Sequence, residues 1–257
     1  MNFKKDIYAE FGIKEPILEL AKKTEEAVKG AFEQIEAVRE ANQLKVIRAL
    51  QLEKVSDSHF AGTTGYGYND RGRETLDAVY ARAFGAEDAL VRHSITCGSH
   101  ALALCLYGLL RPGDELLSVT GKPYDTLDEV IGIRGKPGSG SLKEFGVTYR
   151  QIELKNGEID FDAIADAITP RTRMVFMQRS RGYAFRPPVT IEQIARVVDI
   201  VKSIRKDIYV MVDNCYGEFV DTMEPTGVGV DVMAGSLIKN PRSEERRVGK
   251  ECRSRWS

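Results

Sequence analysis

From residue 74 onward, short apolar runs alternate with helix-forming segments of nine or more residues, and this rhythm most narrows the folds open to the chain. DALVR (88–92), ELLSV (115–119), VTYRQIE (147–153), RMVFMQ (173–178), IYVMVDN (208–214) and DVMAGSL (231–237) have the composition of strands. Between them, ETLDAVYARAFG (74–85), SHALALCLYGLL (99–110), YDTLDEVIGI (124–133), DFDAIADAI (160–168) and TIEQIARVVDIVKSI (190–204) read as helices. Such alternation predicts an α/β domain, its largely parallel sheet covered by helices on both faces. In these sheets function gathers where strand carboxyl ends meet helix amino ends.

The amino-terminal part differs. Residues 16–52 are rich in helix formers, with apolar residues at spacings of three and four, predicting one or two amphipathic helices as an arm or packing layer. SDSHFAGTTGYGYNDRGRE (56–74) is rich in Gly, Ser, Asn and Asp and reads as a long irregular loop, of a length that is usually functional or disordered. GKPGSGS (135–141) reads as a mobile surface loop. The expected division is a helical segment over 1–58 followed by the α/β domain over 59–241.

A chain of 257 residues with 42% apolar and 29% charged residues and a net charge of −1 belongs with ordinary globular proteins. That balance argues against nucleic acid as a partner. No apolar run is long enough for a membrane span, and MNFKKDIYAEFG lacks the apolar core of a signal peptide. The four cysteines form no C-x-x-C pair. A cytoplasmic protein with reduced thiols is expected.

Several polar residues punctuate the ends of apolar runs. Gly98 and Ser99 open a helix after a strand, where free N–H groups serve either an anion such as phosphate or an ordinary cap. Tyr124 is either a helix-start aromatic or a ring that stacks on a planar ligand. Asp213 ends a buried strand, as a turn cap or as a carboxylate facing a cation. Lys239 follows another apolar run, either snorkelling to solvent or held as a desolvated amine of the kind that forms Schiff bases. Arg179, Ser180 and Arg181 follow a strand and serve either an anion or a solvated basic turn. His59, His93 and His100 lack metal-ligand spacing, and Cys215 has no evident base partner, so it reads as a packed thiol. Taken together, a phosphate nest, an aromatic, an acid and a lysine on successive strand ends form the set that pyridoxal 5'-phosphate needs. The lysine holds its aldehyde as an imine, and the acid pairs with its ring nitrogen.

At these residues the chain resembles the fold-type-I pyridoxal phosphate enzymes of cysteine and methionine metabolism, and most closely the methionine gamma-lyase family, also called aluminium resistance proteins. The matching text is HFAGTTGYGYNDRGRETLDAVYARAFGAEDALVR, SITCGSHALAL, MQRSRGYAFRPP, VDNCYGEF and GSLIKNP. The resemblance implies the three-layer fold-type-I large domain. It implies that Lys239 is catalytic and bonds the cofactor, that Asp213 pairs with its ring, and that Gly98, Ser99 and Ser236 bind its phosphate. Tyr124 is implied both to stack on the ring and to act as an acid. Tyr66 and Arg73 are implied to reach the phosphate of a neighbouring subunit in a homodimer or homotetramer, with Tyr68 or Arg71 as substitutes; no metal is implied.

The activity expected is a lyase reaction, α,γ- or α,β-elimination from a sulfur amino acid. Alternatives are another reaction of the same cofactor, such as transamination, decarboxylation or aldol cleavage, or an inactive fragment that holds no cofactor. The fragment alternative arises because fold-type-I enzymes carry a smaller domain beyond the lysine, expected to be missing here. Residues 242–257 carry six Lys/Arg against three Glu and start abruptly. Back-translated from Arg242 to Glu245 as AGA TCG GAA GAG, the run fits one frame of a common sequencing adapter, so a non-native tail is expected.

Overall fold

The computed structural model describes residues 3–63, 66 and 70–240. The expected non-native tail and Tyr68 lie outside the described residues. Seven helices and five strands are described, in the order α1 (Phe3–Glu10), α2 (Glu15–Leu52), α3 (Arg71–Phe84), α4 (Gly98–Leu109), β1 (Glu115–Ser118), α5 (Asp128–Ile131), β2 (Thr148–Gln151), α6 (Phe161–Ala167), β3 (Thr172–Gln178), α7 (Ile191–Ile204), β4 (Tyr209–Asp213) and β5 (Val232–Ala234).

The five strands form one sheet, ordered β2-β1-β3-β4-β5, and every pairing is parallel. Successive side chains of a strand point to opposite faces, and here the alternation builds two cores. Leu117, Val175, Met177, Val210 and Val212 join Ile164 of α6 and Ile194, Val197 and Val201 of α7 on one face. Leu116, Met174, Phe176 and Met211 join Leu102 and Leu106 of α4 and Ile131 of α5 on the other. The result is three layers, helix on sheet on helix.

Local chemistry sets the helix limits. Thr190 and Gln193 close a reciprocal capping box at α7, at 3.0 and 3.2 Å. Asp70 accepts the Arg73 N–H at the start of α3, which ends at Gly85 in the left-handed region with φ of +65°. The amino-terminal prediction resolves into a single 38-residue helix, α2, of which only Asn42 and Ala49 are buried. Its last turns pack Ala49 against Val79, Ala83 and Phe84 of α3. Its first half leaves Ile17, Leu20, Val28 and Phe32 exposed.

Two predicted elements are corrected. DALVR forms no strand; the Val91 N–H and the Arg92 guanidinium both bond the Asp77 carboxylate instead, at 2.8 and 2.6 Å. The helix expected over 124–133 is a 3₁₀ turn, Asp125–Leu127, followed by the single turn of α5. Gly132, at φ of +92°, stops it, and a Cβ there would lie 2.7 Å from Lys143 Cβ.

Candidate active site

In parallel register, Gln178, Asp213 and Ala234 stand side by side at the carboxyl edge of β3, β4 and β5. The site grows from that edge. Asp213 is 4% exposed and its Oδ1 accepts the Cys215 N–H at 3.0 Å. Burial raises its pKa above the ordinary carboxylate range, and the Cys215 hydrogen bonds and the charge of Lys239 only partly oppose this.

The chain then turns sharply. Tyr216 takes a left-handed φ of +68°, and at Gly217 a Cβ would overlap Asn214 Oδ1, so glycine is needed there. The turn is clasped to the segment after β5. The Asn214 N–H donates to the Ala234 carbonyl at 2.8 Å, and Asn240 Nδ2 donates to the Tyr216 carbonyl at 2.7 Å. Lys239 closes its own turn through its N–H to the Ser236 carbonyl at 3.0 Å, and its Nζ lies 4.4 Å from the Tyr216 ring centroid.

Gly98, the first residue of α4, is where these parts converge. A Cβ at Gly98 would lie 2.9 Å from Cys215 Sγ, 3.6 Å from Ser236 Cβ and 3.9 Å from Lys239 Nζ. Cys97, which precedes the helix, gives no side-chain cap, leaving the first N–H groups of α4 for a ligand. Burial, then the charge of Asp213, pushes the Cys215 thiol up to about 12, so it is a packed, protonated thiol.

Ser99 Oγ donates to Thr126 Oγ1 at 2.9 Å, tying the α4 start to the turn that carries Tyr124. The Tyr124 ring packs 3.5 Å from the Cβ position of Gly182 and its centroid lies 5.6 Å from that of Tyr183. Hydrogen bonding to the Tyr183 hydroxyl, with burial second, pushes the Tyr124 phenol up to about 12.

The residues present fit pyridoxal phosphate on three observations. Gly98 is a cradle with no room for a side chain, α4 opens without a side-chain cap, and a buried acid lies in the field of a lysine that follows the neighbouring strand.

Other predicted residues fall elsewhere. Arg179 is not a solvated basic turn. It is 2% exposed, and its guanidinium donates to Asn214 Oδ1 at 3.0 Å, the Gly217 carbonyl at 2.7 Å and Asp221 at 2.5 Å. Ser180 turns its carbonyl to Arg186, and Arg181 is exposed. Tyr66 is 83% exposed and Arg73 pairs with Asp70 at 3.3 Å; no described contact joins either to Lys239. His59 and His100 accept backbone N–H groups of Ser56 and Thr96. Among the described residues, no group of three or more His, Cys, Asp and Glu is placed to hold a metal ion.

Three residues of the site escaped sequence reading. Tyr183, Tyr216 and Glu218 lie in turns, where neither apolar periodicity nor a strand end draws attention to them. Glu218 is 2% exposed and accepts the Ser236 N–H at 2.7 Å.

Comparison with known proteins bears on the fold and the family. The uncharacterized protein YnbB of Bacillus subtilis (strain 168) is 52% identical over 228 residues, 87% of this chain and 54% of its own length. A carbon-sulfur lyase involved in aluminum resistance from Clostridium novyi NT superposes with a TM-score of 0.86 at 46% identity, over 93% of this chain and 57% of that one. The pyridoxal-5'-phosphate dependent protein YhfS of Escherichia coli shares the fold, with a TM-score of 0.59 at 20% identity, over 78% of this chain and 51% of that one. The three-layer domain is thus the large domain of fold-type-I enzymes, and the chain spans about half the length of these relatives. A family model described as Methionine gamma-lyase matches residues 17–250, and the chain belongs to that family.

Proposed function

We propose that the chain is the cofactor-binding part of a pyridoxal phosphate-dependent carbon–sulfur lyase, acting on a sulfur amino acid by α,γ- or α,β-elimination. The observation that carries this reading is the meeting of Lys239, Cys215 beside Asp213, and Ser236 on the side-chain-free face of Gly98. When bound, the cofactor supplies an electron sink for charge developing at the substrate Cα. The chain's own residues do the rest.

Asp213, already buried, holds the ring nitrogen and keeps its proton there. The N–H groups of Gly98 and Ser99, at the amino end of a 12-residue helix, hold the phosphate with the Ser236 hydroxyl. Lys239 takes the Cα proton as general base. Tyr124, whose phenol stays protonated at neutral pH, stacks on the ring and gives a proton to the departing sulfur. Tyr66, exposed before α3, and Arg73, half-buried in its first turn, reach toward a neighbouring subunit's phosphate in a homo-oligomer.

The test is direct. The purified chain with pyridoxal phosphate is expected to show the near-ultraviolet to visible absorbance of the lysine-bound cofactor and to lose it in Lys239→Ala. Sulfur amino acids should then yield ammonia and a 2-oxo acid; transfer of the amino group to an added oxo acid would instead make the protein a transaminase.

A further inference from the structure

Glu218 is a buried acid that the proposed chemistry does not use. It lies in the turn after β4, 2% exposed, with Oε1 on the Ser236 N–H at 2.7 Å. The N–H groups of Tyr216 and Glu218 itself favour its ionised form, yet Oε2 is buried without a hydrogen-bond partner among the described residues. Gly235 makes room for the carboxyl, since a Cβ there would lie 2.7 Å from Oε1. Lys239 faces it from the turn after β5, and Tyr80 faces it from α3. Glu224, paired with Arg179 at 3.8 Å, is the remaining acid near Tyr80.

An anion held by Ser236 therefore binds one residue from a carboxyl group that grips the Ser236 backbone. Two like charges in a buried site cannot both be kept cheaply, and a proton on one of them removes the conflict. We propose that Glu218 is a positioning residue for the phosphate end of the site, holding Ser236 as the neutral acid while the anion is bound. Anion uptake then carries one proton from solvent onto Glu218, and Oε2, now a hydroxyl, becomes a donor. The inference rests on the reading of Gly98, Ser99 and Ser236 as the phosphate site. Burial, the largest influence on Glu218, favours the neutral form, while the charge of Lys239 opposes it.

The experiment is titration calorimetry of the full 257-residue chain with pyridoxine 5'-phosphate, which lacks the aldehyde and cannot condense with Lys239. Runs near pH 8, in two buffers of different ionisation enthalpy, count the protons taken up. A phosphate monoester is already close to fully ionised there, its second pKa being about 6. Wild type is expected to take up close to one proton more than Glu218→Gln, whose amide keeps the bond to Ser236. At that pH the Gln variant, which cannot ionise, should bind the probe about tenfold or more tighter than wild type and lose the wild type's decline with pH, which is at most about tenfold per pH unit for one linked proton. Equal proton uptake by the two proteins overturns the role of Glu218 and leaves the cofactor reading standing. Binding of the probe by neither protein sinks both. If the Gln variant does not fold, wild type decides alone: infrared difference spectra between free and liganded chain must gain the carbonyl band of a protonated carboxyl, and its absence refutes the proposal.

Discussion

Asp213, Glu218 and Glu224 are each buried, and burial raises the pKa of all three. The folded chain thus binds these protons more tightly than the unfolded chain. Their contribution to stability is most favourable below the ordinary carboxylate range, and it is lost as pH rises from the unfolded toward the folded pKa. In the cofactor-free chain, Asp213→Asn is expected to shrink the fall in urea midpoint between acidic and neutral pH. A variant with the same pH dependence as wild type would show that Asp213 titrates normally. At Gly98 the expectation is steric: Gly98→Ala drives a methyl onto Cys215 Sγ and costs about 1–3 kcal/mol in urea unfolding, with loss of cofactor affinity. Lys239 and Asp213 were legible in the sequence because a charge closing an apolar run demands a partner. Glu218 and the true role of Arg179 were not, because their partners are backbone groups brought close only by tertiary structure.

Among elements, α7 and the loop of residues 214–221 make contrasting cases. The capping box of α7 stands on local hydrogen bonds alone, so Thr190→Ala should cost about 1 kcal/mol without affecting the site. Arg179 joins the end of β3 to that loop through three hydrogen-bonded partners and lies near the buried carboxylate of Glu224. Its replacement by alanine strands buried groups and is expected to cost about 3–5 kcal/mol, read from chemical denaturation. Strands such as β3 were visible as apolar runs, and long helices such as α7 as periodicity. DALVR misled because a short run with apolar residues at its centre says nothing of whether a neighbouring strand is there to pair with it. The 124–133 segment misled because its helix period is cut by Gly132, whose left-handed turn the apolar pattern hides.

For the molecule as a whole, one sheet separates two cores that share no side-chain cluster. Leu106→Ala in one and Ile194→Ala in the other should each cost about 2–5 kcal/mol. Combined, they should add within about 0.3–0.5 kcal/mol, as independent sites do; a larger coupling would mean that the sheet transmits strain between its faces. The strand order β2-β1-β3-β4-β5 carries a further consequence for biogenesis. β2 joins one side of β1 and β3 the other; β4 then adds to β3, and β5 to β4. None of the described strands has to be inserted between two already paired. A chain emerging from the ribosome can thus lay down its sheet in order of translation, always extending an exposed edge. Lys239, just after β5, is the last of the proposed cofactor ligands to be made, and it reaches a cradle whose other walls are already in place.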